Sequence, residues 1–176
     1  MIIRQATLKD LDQIWKLRLE TTVLLFNRGI DQWQYEDPSL ETFTKDISEG
    51  EFYVATDDNG FLLGMMAVRS NIEHTYDVIF DGKWSDEQPY LTIHRLAVKR
   101  DLLGSGTAKL LLEYADQIAR LTHIDYIRID THEQNKYAIR LFESFDYIYC
   151  GWILLVQDKG DLKRLAFDKK IKRSTS

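Results

Sequence analysis

His94 stands in the run Tyr90-Leu-Thr-Ile-His-Arg-Leu-Ala-Val98, which is apolar, β-branched and interleaved with polar residues, as a strand is. An imidazole with an ordinary pKa of about 6.5 suits proton abstraction near neutrality. A histidine on a sheet face is as readily a half-buried, hydrogen-bonded one, and the residues leave both readings open. Val98 follows four positions later, which puts it on the same face of a regular strand. Next come Gly104-Ser-Gly106 and a run from Lys109 to Leu121 without Gly or Pro. Ala108, Leu111, Ala115 and Ile118 recur there at helical spacing. A helix N-terminus has unpartnered N–H groups and partial positive charge, and glycines let an anion come close to them. Residues 103–108 are therefore a candidate phosphate cradle, or simply a tight turn. A P-loop would need Gly-Lys-Ser/Thr after its loop, and a dinucleotide fingerprint a third glycine where Lys109 stands; neither fits.

Other chemistry-bearing residues lie further along. Asp130 and His132 share one strand face and can serve as a base or orient a ligand. Their spacing suits a metal too, but no third ligand is evident, so no metal is expected. Asn135 opens a helix and reads as an N-cap. Cys150 lies between apolar strand residues and reads as a buried inert thiol rather than a nucleophile. Arg69 and Arg95 are strand arginines, more often paired with carboxylates than catalytic.

The elements that must position these groups follow from periodicity. A strand over 2–6 leads into a helix capped by Thr7 or Asp10 and ended by Gly29. An aromatic loop, Ile30 to Pro38, precedes a helix from Ser39 to Gly50. Strands 51–56 and 61–69 flank the turn Asp57-Asp-Asn-Gly60. Residues 71–88 are polar and broken, a long loop with room for a short helix. After the 90–121 unit come a strand over 124–131, a helix from Asn135, and strands over 147–157 and 162–171. The order is β-αα-β-β-β-α-β-α-β-β.

At 176 residues the chain reads as one domain, 1–176, with enough length for a real core. The net charge of -5 leaves no electrostatic footprint for nucleic acid, and the basic end Lys169, Lys170, Lys172, Arg173 reads as solvated. The N-terminus runs straight into charged residues, so no signal peptide is visible. No apolar run is long enough for a bilayer. One cysteine, Cys150, excludes a disulfide within the chain. A cytoplasmic protein with no membrane partner is expected. Edge strands near the C-terminus are able to pair with a second copy, giving a homodimer.

The 90–121 unit resembles motif A of the GNAT N-acetyltransferases, a strand ending in small-apolar-Val followed by Gln/Arg-x-x-Gly-x-Gly/Ala and a helix. Leu103 takes the Gln/Arg position, Gly106 the central glycine and Ala108 the final small residue. A second family signature, Asn-x-x-Ala-x-x-Leu-Tyr-x-x-x-Gly-Phe, is met by Asn135, Ala138, Leu141, Phe142, Asp146 and Tyr147, with Phe for Tyr, Asp for Gly and Tyr for Phe. The segments 93–98 and 127–135 look like those of a bacterial GNAT subgroup without assigned substrates.

The resemblance implies a GNAT fold of the α/β (α+β) class: a mixed, mostly antiparallel central sheet flanked by helices and splayed between the fourth and fifth strands at Val98. It implies acetyl-CoA as cofactor, its pantetheine arm along Leu96, Ala97 and Val98 and its pyrophosphate on Leu103, Gly104, Ser105, Gly106, Thr107 and Ala108, with Asn135 on the arm. It implies direct attack by an amine of a small molecule or peptide, with the Val98 N–H as oxyanion donor. In arylalkylamine N-acetyltransferases the corresponding strand reads His-Leu-His-Ala-Leu-Ala-Val, and His94 aligns with the second histidine, the candidate base. The family's usual acid is the Tyr at position 142; Phe142 has no proton to give, so Tyr137 or water is the stand-in. Gln32, Trp33, Tyr35, Asp130, His132 and the 71–88 loop are the candidate acceptor walls, Trp33 alternatively belonging to the core. From another class, a non-catalytic acyl-CoA-binding sensor is the alternative.

Overall fold

β4 (Leu91–Val98) starts with three buried residues, as a strand covered on both faces does. Around it, in a computed structural model that describes residues 1–157 and 159–172, the chain lays down β1 (Ile2–Gln5), α1 (Leu11–Asn27), α2 (Leu40–Ser48), β2 (Phe52–Thr56) and β3 (Leu62–Arg69) before it. After it come α3 (Thr107–Thr122), β5 (Tyr126–Thr131), α4 (Lys136–Ser144), β6 (Ile148–Leu154) and β7 (Lys163–Lys170). The seven strands form one sheet in the order β1-β2-β3-β4-β5-β7-β6. Only β4 and β5 pair in parallel. The element order is the one expected from periodicity, with boundaries moved by up to three residues, the most at the end of β6.

The alternation of β3 explains the two layers. Met65 and Ala67 pack with Ile14 and Leu17 of α1 and Phe43 and Ile47 of α2. Met66 and Val68, on the opposite face, pack with Leu111, Leu112 and Ala115 of α3 and Phe142 of α4. α2 starts cleanly because the Ser39 hydroxyl accepts the Thr42 N–H at 3.1 Å. The 71–88 loop contains a 3-10 turn, His74–Tyr76, and is packed: Tyr76 and Trp84 are buried with Cys150, Ile153 and Ala166.

One expectation about the C-terminal end is corrected. Lys169 is not a solvated end but pairs with Asp116 at 2.7 Å, largely out of water, whereas Lys170, the last residue of β7, stays exposed while pairing with Asp86 at 2.7 Å. Arg173 lies outside the described residues. Among the described residues no helix is long and apolar enough to cross a membrane.

Candidate active site

Parallel pairing of β4 with β5 runs only from Leu91, opposite Ile127, to Ile93, opposite Ile129. Beyond that point β4 stays with β3 and β5 with β7, so the sheet opens. The strands thus part after Ile93, earlier than the expected Val98. Lys99 N–H donates to the Leu63 carbonyl at 3.0 Å. Alternation along an antiparallel ladder then turns the N–H and C=O of Val98 away from β3, into the opening.

β4 also carries a bulge. Ala67 pairs with His94 and Met65 with Ala97, so Arg95 and Leu96 together oppose Met66. Arg95 takes a left-handed φ of 55°, a strained choice for a residue with a side chain. The extra residue reverses the alternation. His94 shares the face of Ala67 and Ala97, toward α1 and α2, while Val98 packs with Ile93 and Leu96 toward α3 and α4. The expectation that His94 and Val98 share a face is corrected on this ground.

Following β4, the chain makes a 3-10 turn over Arg100–Leu102 and enters α3 through Gly104, at φ 82°, and Gly106, at φ 91°. Both conformations suit glycine, and a Cβ at either would meet nothing within 4 Å. Ser105 N–H donates to Leu102 O at 3.0 Å, and the Ser105 and Thr107 hydroxyls lie 2.9 Å apart. Among the described residues the N–H groups of Gly104, Gly106, Ala108 and Lys109 donate to nothing. This is an open set of donors at the positive end of a sixteen-residue helix, fit for a phosphate group.

The opening between β4 and β5 is continuous with a cleft of about 420 Å³. His94 and Leu96 of β4, Asp130 of β5, Asn135 and Phe142 around α4, and Gln32 and Trp33 of the aromatic loop all line it. His94 Nε2 lies 3.0 Å from Glu73 Oε2, and each side chain is about one fifth exposed, at 22% and 21%. Burial by itself would raise the Glu73 carboxyl, but the His94 hydrogen bond and charge, with Thr75, hold it down at about 2. The Thr75 hydroxyl donates to the other Glu73 oxygen. Asp130 accepts the Tyr76 hydroxyl at 2.6 Å, and burial, with Asp130 beside it, pushes the Tyr76 phenol well above its ordinary range. Arg95 Nη1 lies 3.1 Å from Asp46 Oδ2, within ion-pair distance but off hydrogen-bond alignment. Arg69 is 3.3 Å from Glu51 and 3.9 Å from Asp46. Burial raises the Asp46 carboxyl despite these cations.

Not every expected residue reaches the cleft. Asn135 is the helix cap foreseen for it, its Oδ1 accepting Ala138 N–H at 3.3 Å, and its Nδ2 reaches Gln32 Oε1 at 3.4 Å in the cleft wall. Trp33 lines the cleft and packs on the α1–α2 core as well. Tyr35 is 48% exposed and does not line it; its carbonyl accepts Arg18 Nη2 at 2.8 Å. His132 is buried, with Nε2 at 3.0 Å from Asp161 and Nδ1 accepting Gln134 N–H at 3.0 Å, so both ring nitrogens are taken. The strand ends at Thr131, and the face expected to unite Asp130 with His132 ends with it. Tyr137 is 63% exposed, outside the cleft, under the Arg28 guanidinium at 3.9 Å. Phe142 takes the inner position. Cys150 is buried near Asp168, and burial pushes its thiol up to about 12. Among the described residues no group of three or more His, Cys, Asp or Glu is placed to hold a metal.

Glu73, Asp46 and Arg164 were missed by reasoning from sequence. Glu73 and Asp46 reach β4 only through tertiary contact. Arg164 had a signal: strand alternation sets it on the face of Ala166, which is fully buried.

The sequence model described as the acetyltransferase (GNAT) family matches residues 11–147. No curated protein matches the chain significantly. Among solved structures, a GNAT-family acetyltransferase of Streptococcus agalactiae is 34% identical, with TM-score 0.86 over 98% of this chain and 96% of that one. The PaiA N-acetyltransferase of Thermoplasma acidophilum, solved with coenzyme A, is 19% identical, with TM-score 0.70 over 96% and 98%. The ribosomal-protein-S18-alanine N-acetyltransferase of Escherichia coli is 16% identical, with TM-score 0.67 over 98% and 95%. The last two likenesses are of fold.

Proposed function

The chain belongs to the acetyltransferase (GNAT) family, and from that premise we propose that it transfers acetyl from acetyl-CoA to the primary amine of a small molecule or peptide. The observation that supports this best is the open edge of β4 running into the unpartnered N–H groups of 104–109. An extended amide-bearing arm that ends in a diphosphate needs such an edge and such a cradle in that order. The residues present therefore fit coenzyme A: backbone at Leu96 to Val98 for the arm, Gly104 to Lys109 for the pyrophosphate, and Asn135 beside the arm.

When bound, acetyl-CoA supplies an acetyl group activated as a thioester. His94, with Glu73 fixing its ring, takes a proton from the acceptor ammonium and frees the nitrogen lone pair. The amine forms the new N–C bond as the C–S bond breaks. The Val98 N–H, turned into the opening, is the donor for charge developing on the acetyl oxygen. Phe142 provides no acid. A thiol with a pKa of about 8.5 leaves as thiolate without much help, and the second proton, shed by the newly acylated nitrogen, reaches it through water.

The test is thiol release over a panel of amines and peptides, with coenzyme A binding measured alongside. His94→Ala is expected to lower kcat/KM by about 10²–10⁴ while keeping coenzyme A affinity, the usual worth of a positioned base. A wild-type protein that binds coenzyme A but releases no thiol with any amine is instead an acyl-CoA sensor, a reading that the apolar Phe142 favours.

A further inference from the structure

We propose that the acceptor is an amino acid, held by its carboxylate on Arg164 and by its ammonium between Asp130 and the His94–Glu73 pair. The inference rests on the N-acetyl transfer reading above and narrows its acceptor.

Arg164 carries the argument. It lies in β7, lines the cleft, and is only 3% exposed. A guanidinium is almost never buried so deeply unless it is paired. Yet among the described residues Arg164 makes no ion pair, and its hydrogen bonds run only from Nη1, to the Asp161 carbonyl at 2.7 Å and the Lys163 carbonyl at 2.9 Å. Among the described residues Nε and Nη2 have no hydrogen-bond partner. They form the fork that receives a carboxylate in two parallel bonds. The other two arginines of the cleft are matched, Arg95 by Asp46 and Arg69 by Glu51 and Asp46.

The same cleft holds the opposite charge. Asp130 contacts the Tyr76 hydroxyl and no cation within ion-pair distance. Asp130, and behind it Asp161 and Asp31, attract Arg164 from beyond ion-pair distance, so the charges are unlike but separated. A zwitterion satisfies both ends, where an amine alone would leave the Nε–Nη2 edge of Arg164 unfilled. The volume of about 420 Å³ sits near the lower end of ligand pockets and must admit part of the acyl donor as well, which favours a single amino acid over a peptide. The products would be the N-acetyl amino acid and free coenzyme A thiol, the departing ammonium proton passing through His94.

The experiment compares matched acceptors with full-length protein and acetyl-CoA: a set of amino acids, their carboxamides and the corresponding decarboxylated amines. The expected result is a kcat/KM for the preferred amino acid on the order of 100-fold above that of its decarboxylated amine, the penalty of leaving a buried charge without its partner. The preference should collapse in Arg164→Gln and be partly kept in Arg164→Lys, mainly through KM. Should neither variant fold, the wild-type panel decides alone. Decarboxylated amines turning over as well as amino acids would overturn the inference and leave acetyl transfer standing. If no amine releases thiol, acetyl transfer fails, and calorimetric titration of the same compounds into coenzyme A-loaded protein decides the rest. Selective binding of amino acids would uphold Arg164 as the carboxylate anchor, and indifference to the carboxylate would overturn it.

Discussion

Glu73→Gln probes the contact that holds His94. In the folded protein the Glu73 carboxyl, opposed by burial but stabilised by His94 and Thr75, titrates at about 2 rather than 4.5. At about 1.4 kcal/mol per pH unit, that difference gives ionised Glu73 a contribution of about 3 kcal/mol to folding above pH 4.5 for as long as His94 carries its charge. Glutamine keeps a hydrogen bond to His94 and about one fifth of the side chain faces water, at 21% exposure. The expected loss is therefore smaller, about 1–2 kcal/mol at pH 6. Because the folded-state value lies below the unfolded one, the carboxylate stabilises the fold above 4.5, and that gain drains away as pH falls from 4.5 toward 2. Urea unfolding of both proteins between pH 6 and pH 3 measures it. The wild-type lead should be full at pH 6 and reduced at pH 3. A lead that is absent at pH 6, or constant over the range, would refute the assignment of His94 and Glu73 to one ionic contact. The variant should also show lower kcat/KM with unchanged coenzyme A affinity.

Two further outcomes are expected. Gly106→Ala meets no steric neighbour but must hold φ near 91°, so it should cost about 1–2 kcal/mol in thermal or urea unfolding, the usual strain of a left-handed L-residue, and weaken coenzyme A binding by calorimetry. Cys150, with its thiol pushed from 9.0 to about 12, should be about 1000-fold poorer in thiolate near pH 8. Native protein should then react with a disulfide reagent only on unfolding, and Cys150→Ala should keep full thiol-release activity; fast labelling of native protein would contradict the burial.

Local chemistry made much of this protein legible. Leu111 and Ala115 recur at helical spacing, Gly104 and Gly106 stand where a helix begins, and Asn135 caps the next one. These are properties of neighbours in the chain, so sequence determined the order of elements, the glycine turn into α3 and the family resemblance. It could not determine which way His94 points. The bulge at Arg95 and Leu96 exists because β3 offers Met66 alone opposite them, and an alternating run looks the same with or without such a mismatch. Nor could it pair His94 with Glu73 or Asp130 with Tyr76, since those partners lie 21 and 54 positions apart. Tyr137 and His132 show the same limit from the other side. Both are residues of the right chemistry near the right motif, and helix phase and strand end turn them elsewhere. Periodicity is set within a strand or helix, whereas the cleft is set between them, where packing alone decides which charges meet.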